Sequence, residues 1–203
     1  MIAIVDYKMG NLQSVRNAFH LFTDEVKIVS DPDSLKEFDK VLLPGVGAYK
    51  DAMIHLKQNG MDKSIKEFAK SGKPLLGICL GMQLLLESST EFGFTKGLGL
   101  IEGEVVKFDK DKFQTPHKVP HMGWNRVFKN QKADILKDLP DDFYLYFVHS
   151  YHAKTDDKYA LTKTNYGYDF VSAVIKDNII GFQPHPEKSH ENGLKIIKNF
   201  VEM

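Results

Sequence analysis

Three short stretches of this chain carry side chains suited to chemistry. Gly77-Ile78-Cys79-Leu80-Gly81 sets the single cysteine between two glycines, after an apolar run and before a helical pattern. A glycine-x-nucleophile-x-glycine sequence at such a junction reads as a nucleophile elbow: the glycines let backbone segments approach closely while the nucleophile sits on a strained tight turn. At a helix N-terminus, unpaired N–H groups and the helix dipole favour the thiolate form of Cys79. The competing reading is a small buried hydrophobe, the usual fate of a lone cysteine in an apolar run. Spacing alone does not separate the two.

A base does. Among eight histidines, His185 stands in Gln183-Pro184-His185-Pro186-Glu187, directly after the apolar stretch 179–182. Strand ends are where the active sites of open α/β sheets gather. Glu187 falls on the same side of an extended chain as His185. A carboxylate there can fix the imidazole's tautomer and stabilise its cation, while the imidazole accepts the thiol proton. Pro44-Gly45-Val46-Gly47-Ala48-Tyr49 is the third stretch. It lacks the last glycine of a dinucleotide fingerprint, Lys50 holding that place. Gly45 and Gly47 instead permit backbone angles that turn an N–H toward developing negative charge. Metal readings fare worse. His185-x-Glu187 has no paired cysteines to complete a zinc deaminase signature, and Pro120 disfavours a helix that would align His117 with His121. No metal or cofactor is expected, and His149 and His152 are expected to hydrogen-bond or pack.

Positioning these residues requires strands that end at them. Apolar runs at 2–5, 26–29, 41–43 and 73–78 read as short strands. Helical spacing links Leu12, Val15, Ala18, Phe19 and Phe22, and returns over 52–56, 65–69 and 82–86, with Gly60 as a break and Gly72 as a stop. Alternating strands and helices with short joins predict a parallel sheet covered on both faces. From residue 95 onward, closely spaced strand-like runs at 124–128, 143–148, 159–164, 171–175 and 179–183 predict antiparallel hairpins, with Asp177-Asn178 as one turn. The stretch 107–118 reads as a polar loop, and Leu194, Ile197, Phe200 and Val201 as a closing amphipathic helix.

Composition sets the limits. At 203 residues, 42% hydrophobic and 27% charged, the chain fits one globular domain and excludes a disordered or fibrous one. Lys+Arg 27 against Asp+Glu 27 leaves no bulk field to draw nucleic acid or an anionic membrane. Only Arg16 and Arg126 are arginines, too few for a protein gripping many phosphates bidentately. One cysteine excludes an internal disulfide. The opening residues read as a strand and turn, not as a signal peptide, so a cytoplasmic location is expected.

In chain order, Pro44-Gly45-Val46-Gly47, the Gly77–Gln83 segment and His185-Pro186-Glu187 resemble the three motifs of the class I (triad) glutamine amidotransferases, and the likeness spans essentially the full length. The resemblance implies a flavodoxin-like α/β fold in one domain over 1–203: a mixed, mostly parallel central sheet flanked by helices, with extra antiparallel strands. It implies a Cys79–His185–Glu187 triad, in which Cys79 attacks the side-chain amide of L-glutamine. His185 takes the thiol proton and delivers it to the leaving ammonia, and Glu187 orients His185. A γ-glutamyl thioester forms and is hydrolysed to glutamate. By the same resemblance the oxyanion is held by the N–H of Leu80 and, after a peptide rearrangement, of Val46, in the turn of Gly45 and Gly47. Gln83 helps hold the substrate, Glu91 lies near its α-amino group, and the Ser150-Tyr151 backbone near its α-carboxylate. The plainer alternatives are an exposed first-turn residue for Gln83 and a solvated loop charge for Glu91.

Within the family, the blocks 120–125, 146–151 and 185–189 resemble one branch, the glutaminase subunits of imidazole glycerol phosphate synthase. That likeness implies a heterodimer with a (β/α)₈ cyclase subunit, which receives neutral ammonia through its barrel and makes imidazole glycerol phosphate and aminoimidazole carboxamide ribotide in histidine synthesis. It sets Asn11, Met122, Trp124, Tyr146 and Lys188 near the interface, against plain packing for Trp124 and Tyr146. Pro184 and Met9 depart from the common pattern without touching the triad. Alternative outcomes are ammonia supply to a sugar amidotransferase, a catalytically silent binding module, and a free-standing cysteine peptidase.

Overall fold

Short strands buried on both faces organise the first half of the chain. The computed structural model describes residues 1–203. In chain order the first half holds β1 (Ile2–Val5), α1 (Leu12–His20), β2 (Val26–Val29), β3 (Lys40–Leu43), α2 (Tyr49–Gln58), α3 (Met61–Lys70), β4 (Leu75–Ile78) and α4 (Leu80–Leu84). The second holds β5 (Leu86–Ser89), β6 (Thr95–Lys96), β7 (Ile101–Lys107), β8 (His121–Lys129), β9 (Asp142–His149), β10 (Tyr151–Lys154), β11 (Ala160–Asn165), β12 (Asp169–Lys176), β13 (Ile179–Phe182) and α5 (His190–Glu202). Strands run β2-β1-β3-β4-β13 in one all-parallel block. Its first four follow the 2-1-3-4 order of flavodoxin-like sheets.

Side chains alternate across each strand, which divides the core in two. Ile2, Ile4, Leu42, Leu76, Ile78 and Phe182 meet α1 and α5 through Val15, Phe19, Ile196, Ile197 and Phe200. Phe19 and Phe200 join the two helices edge to face, ring centres 6.1 Å apart. On the opposite face Ala3, Val5, Val41, Leu43 and Leu75 meet α2 and α3 through Ala52, Met53, Leu56, Ile65 and Phe68. Each large apolar side chain so buried contributes about 1.5–3 kcal/mol, and together they hold the C-terminal ends of β3, β4 and β13 in one row. No helix is long and apolar enough to cross a membrane.

Past β13 the sheet turns antiparallel through β12, β10 and β7, with β5 and β6 at the far edge. β11 leaves this path to pair with β12 and β8, and β8 pairs with β9. This extension is larger than the sequence outlined. The helical pattern expected through Leu86 stops at Leu84, and Leu86 opens β5. The cause is tertiary: the N–H groups of Leu98, Leu100 and Gly99 bond to the carbonyls of Leu84, Leu85 and Leu86. Those carbonyls satisfy their acceptor capacity with the incoming turn rather than with another helical turn. Nor is 107–118 merely polar, because Phe108 is buried there among Phe170, His149 and His152.

One close approach fixes the junction of β4 with α4. A Cβ on Gly81 would collide with the Leu43 carbonyl oxygen, and one on Gly77 would lie 2.7 Å from the Met82 nitrogen. Both contacts are with backbone, which has little room to yield. Gly81→Ala is therefore expected to destabilise the protein by about 3 kcal/mol or more in urea unfolding. Gly60→Ala, at φ 79° with open space around it, should cost only about 1–2 kcal/mol. Equal losses would contradict this packing.

Candidate active site

β4 ends at Ile78 and α4 starts at Leu80, so Cys79 alone makes the turn between them. It does so at φ 55°, ψ −112°, backbone angles that cost a residue with a Cβ on the order of 1–3 kcal/mol. The glycine contacts on either side hold it there. The Cys79 N–H donates to the Phe182 carbonyl at 2.7 Å, extending the parallel pairing of β4 with β13 by one residue. That bond ties the thiol's turn to the strand that leads, three residues later, into His185.

His185 is fixed from several sides. Its N–H donates to the Tyr146 carbonyl of β9 at 2.9 Å. The Ser189 hydroxyl donates to the His185 carbonyl at 2.6 Å and accepts from the Tyr146 N–H at 2.9 Å. His185 Nδ1 lies 2.7 Å from Glu187 Oε1, both side chains being 3% exposed. Burial disfavours the imidazolium, but attraction to the Cys79 sulfur and to the Glu187 carboxylate outweighs it and pushes the His185 pKa up to about 10. Nδ1–H is thus committed to Glu187, and Nε2 is buried with no hydrogen-bond partner in this geometry. The arrangement favours the protonated ring, with Nε2 the one position left from which it can give a proton away.

A cleft of about 380 Å³, within the usual size of small-molecule sites, takes in Cys79 and His185 together with Val46, Gly47 and Leu80. It also takes in Gln83, Glu91, Ser150 and Tyr151. Gly45 lies just beneath, where a Cβ would collide with the Tyr7 hydroxyl and lie 3.0 Å from Leu80 Cβ. Tyr7, kept protonated by burial and by Cys79, donates to the Pro44 carbonyl at 2.8 Å and fixes the start of the turn. Gln83 is buried, not exposed: its Nε2 donates to the Tyr151 carbonyl and to Gln183 Oε1, each at 3.0 Å. Glu91 is no solvated charge either. Its Oε2 accepts from the Tyr49 N–H at 2.7 Å, capping α2, whose own N-cap residue Ala48 offers no side chain for the purpose.

The five interface candidates lie outside this cleft. Met122 and Trp124 are 62% and 46% exposed on the outer face of β8, and Trp124 pairs across the ladder with Tyr146. His190, two residues after the exposed Lys188, stacks on Trp124 at 5.1 Å. Asn11 is the exposed N-cap residue of α1, its Oδ1 accepting from the Ser14 N–H at 3.3 Å. Sequence reasoning missed Tyr7 and Gln183. Gln183 is fully buried, with Nε2 3.9 Å from Cys79 Sγ. Its place two residues ahead of His185 was the available signal.

The fold is that of a class I glutamine amidotransferase. The family model "Glutamine amidotransferase class-I" matches residues 3–203, and the chain belongs to that family. Among curated relatives, the imidazole glycerol phosphate synthase subunit HisH of Sulfurimonas denitrificans is 61% identical over all of this chain and 98% of its own length. The protein of the same name from Wolinella succinogenes is 54% identical over the full length of both. PurLQS from Thermotoga maritima, at 19% identity, superposes with a TM-score of 0.78 over 99% of this chain and 97% of its own, a likeness of fold.

The raised His185 value has a measurable sign. The folded protein retains a proton that an unfolded chain releases near 6.5, so this stabilisation is full below about pH 6.5 and fades as pH rises through about 10. In imidazole NMR, His185 should stay protonated through about pH 8. Cys79→Ala, which removes the sulfur, should bring its midpoint down. A wild-type midpoint at or below 6.5 would contradict the ion-pair account.

Proposed function

We propose that this chain is a glutaminase subunit of imidazole glycerol phosphate synthase, a single amidotransferase domain acting in the cytoplasm. It would pass ammonia from L-glutamine to a (β/α)₈ cyclase subunit. The observation that carries the chemistry is the buried His185–Glu187 contact at 2.7 Å beside the strained Cys79. The destination of the ammonia rests on the two relatives of that name, 61% and 54% identical along the whole chain.

Cys79 attacks the carboxamide carbon of glutamine as a thiolate. His185, held protonated by the nearby Cys79 sulfur and the Glu187 carboxylate, gives its Nε2 proton to the departing nitrogen, and ammonia leaves. Glu187 holds the ring through Nδ1 and balances its charge. The tetrahedral oxyanion meets the Leu80 N–H, one of the first-turn donors without an intrahelical partner. It also meets the Val46 N–H once the Gly45–Gly47 peptide turns inward. Loss of one such donor costs about 10²–10³ in rate. Water then attacks the γ-glutamyl thioester, His185 Nε2 takes the water's proton, and glutamate departs. Gln83, Glu91 and the Ser150-Tyr151 backbone hold the amino-acid end. The outer face of β8 and β9, with Met122, Trp124 and Tyr146, and the Lys188 turn beside it, would seat the barrel.

Glutamate release, measured with the cyclase and an analogue of its ribulosyl substrate, tests this reading. Cys79→Ala should abolish release, and Glu187→Gln should lower kcat by about 10³–10⁴. The isolated chain should turn over much more slowly than the complex, because the Val46 donor is aligned only after the partner binds. Equal rates with and without the cyclase, or full activity in Cys79→Ala, would overturn it.

A further inference from the structure

Beneath the cleft runs a chain of hydrogen bonds that no step above uses. Asn125 Nδ2 lies 3.1 Å from His121 Nε2, His121 Nδ1 lies 2.9 Å from His149 Nε2, and His149 Nδ1 lies 2.8 Å from the Tyr151 carbonyl oxygen. Each link dictates the next. A carbonyl only accepts, so His149 Nδ1 must carry hydrogen. Burial, and then the neighbouring His121, hold the His149 pKa well below its ordinary value, so the ring is neutral and its Nε2 can only accept. His121 Nδ1 must then be the donor. Burial pushes the His121 pKa down to about 4, leaving its Nε2 an acceptor for the Asn125 amide. That amide cannot turn over, since its Nδ2 also donates to the Asn165 carbonyl at 2.9 Å and its Oδ1 accepts from the Arg126 N–H at 2.7 Å.

The last acceptor in the chain is also a catalytic-site contact. The Tyr151 carbonyl accepts from Gln83 Nε2, whose other hydrogen goes to Gln183 Oε1. With both N–H groups of Gln83 engaged, Oε1 is the only polar atom its side chain has left to offer a ligand. His121 is wedged between Phe147 and Tyr166, ring centres 4.6 and 3.9 Å away, so its ring has little freedom to depart from this arrangement. The fold explains the placement. On β8 and β9, His121, Asn125 and His149 lie on the side opposite the exposed Met122, Trp124 and Tyr144.

We infer that Asn125, His121 and His149 form a one-directional relay of positioning residues that locks the Tyr151 carbonyl and, through it, presents Gln83 Oε1 as an acceptor to the bound amino acid. This rests on the glutamine-site reading given above. Two measurements test it. Imidazole NMR of the wild-type chain should find both His121 and His149 in the Nδ1–H tautomer from about pH 6 to 9; an Nε2–H tautomer at either ring overturns the relay, whatever the protein hydrolyses. In the complex with the cyclase, His121→Leu removes the donor to His149 and should raise KM for glutamine about five-fold, the usual worth of one net hydrogen bond, with kcat changed less than about two-fold. His121→Asn keeps an amide N–H near the position of Nδ1 and should restore KM to within about two-fold of wild type. If Leu and Asn variants of matched thermal stability show the same KM, the relay has no positioning role. Where His121→Leu does not fold, the tautomers decide alone. Glutamate release that persists in Cys79→Ala marks failure of the site reading instead.

Discussion

Everything in this molecule depends on how closely two backbones pass at the end of the parallel sheet. Gly81 lies against the Leu43 carbonyl, and Gly77 lies against the first turn of α4, at distances where no Cβ fits. With strand and helix pressed together this tightly, the one residue left between them has no relaxed conformation available. Cys79 takes φ 55° as a result, and it lines the cleft from a nearly buried position. The apolar layers on both faces supply the stability that sustains this local strain. A few kcal/mol stored at one residue is small against two packed cores, but it is large for a turn without such support.

The same sheet sets the second half of the site. β13 runs parallel to β4, so both chains emerge at the same end, and Cys79 N–H reaches back to Phe182. From there Gln183-Pro184-His185-Pro186-Glu187 brings His185 into the wall of the cleft, while β9 holds it through the Tyr146 carbonyl. The β8–β9 ribbon therefore serves two faces at once. The backbone edge of β9 secures His185, the ribbon's inner side carries the buried His121 and His149, and its outer side exposes Met122, Trp124 and Tyr144. A protein seated on the outer side would press on the strands that position the chemistry.

Much of this was legible in the sequence. The short continuous apolar runs located the parallel strands, and the glycines about Cys79 located the turn, because both follow from local sequence. What escaped was set by distant partners. Leu86 continues a helical pattern, yet the Gly97–Ile101 turn claims the carbonyls that a longer helix would need. Glu91 reads as a loop charge until Tyr49, 42 residues away, is found donating to it. Gln183 looked like the flank of a histidine motif, and only the pairing of β4 with β13 brings it to Cys79. Single histidines at 121 and 149 give no hint that the β8–β9 register sets them face to face.

The most direct measurement is covalent capture by a glutamine analogue bearing a chloroketone in place of its carboxamide, followed by peptide mapping of the labelled complex. The account predicts one adduct, on Cys79 Sγ, slowed by excess glutamine and lost when His185 is replaced by alanine. A chain left unmodified by the analogue while simple alkylating reagents still reach Cys79, or an adduct formed equally fast without His185, would contradict it.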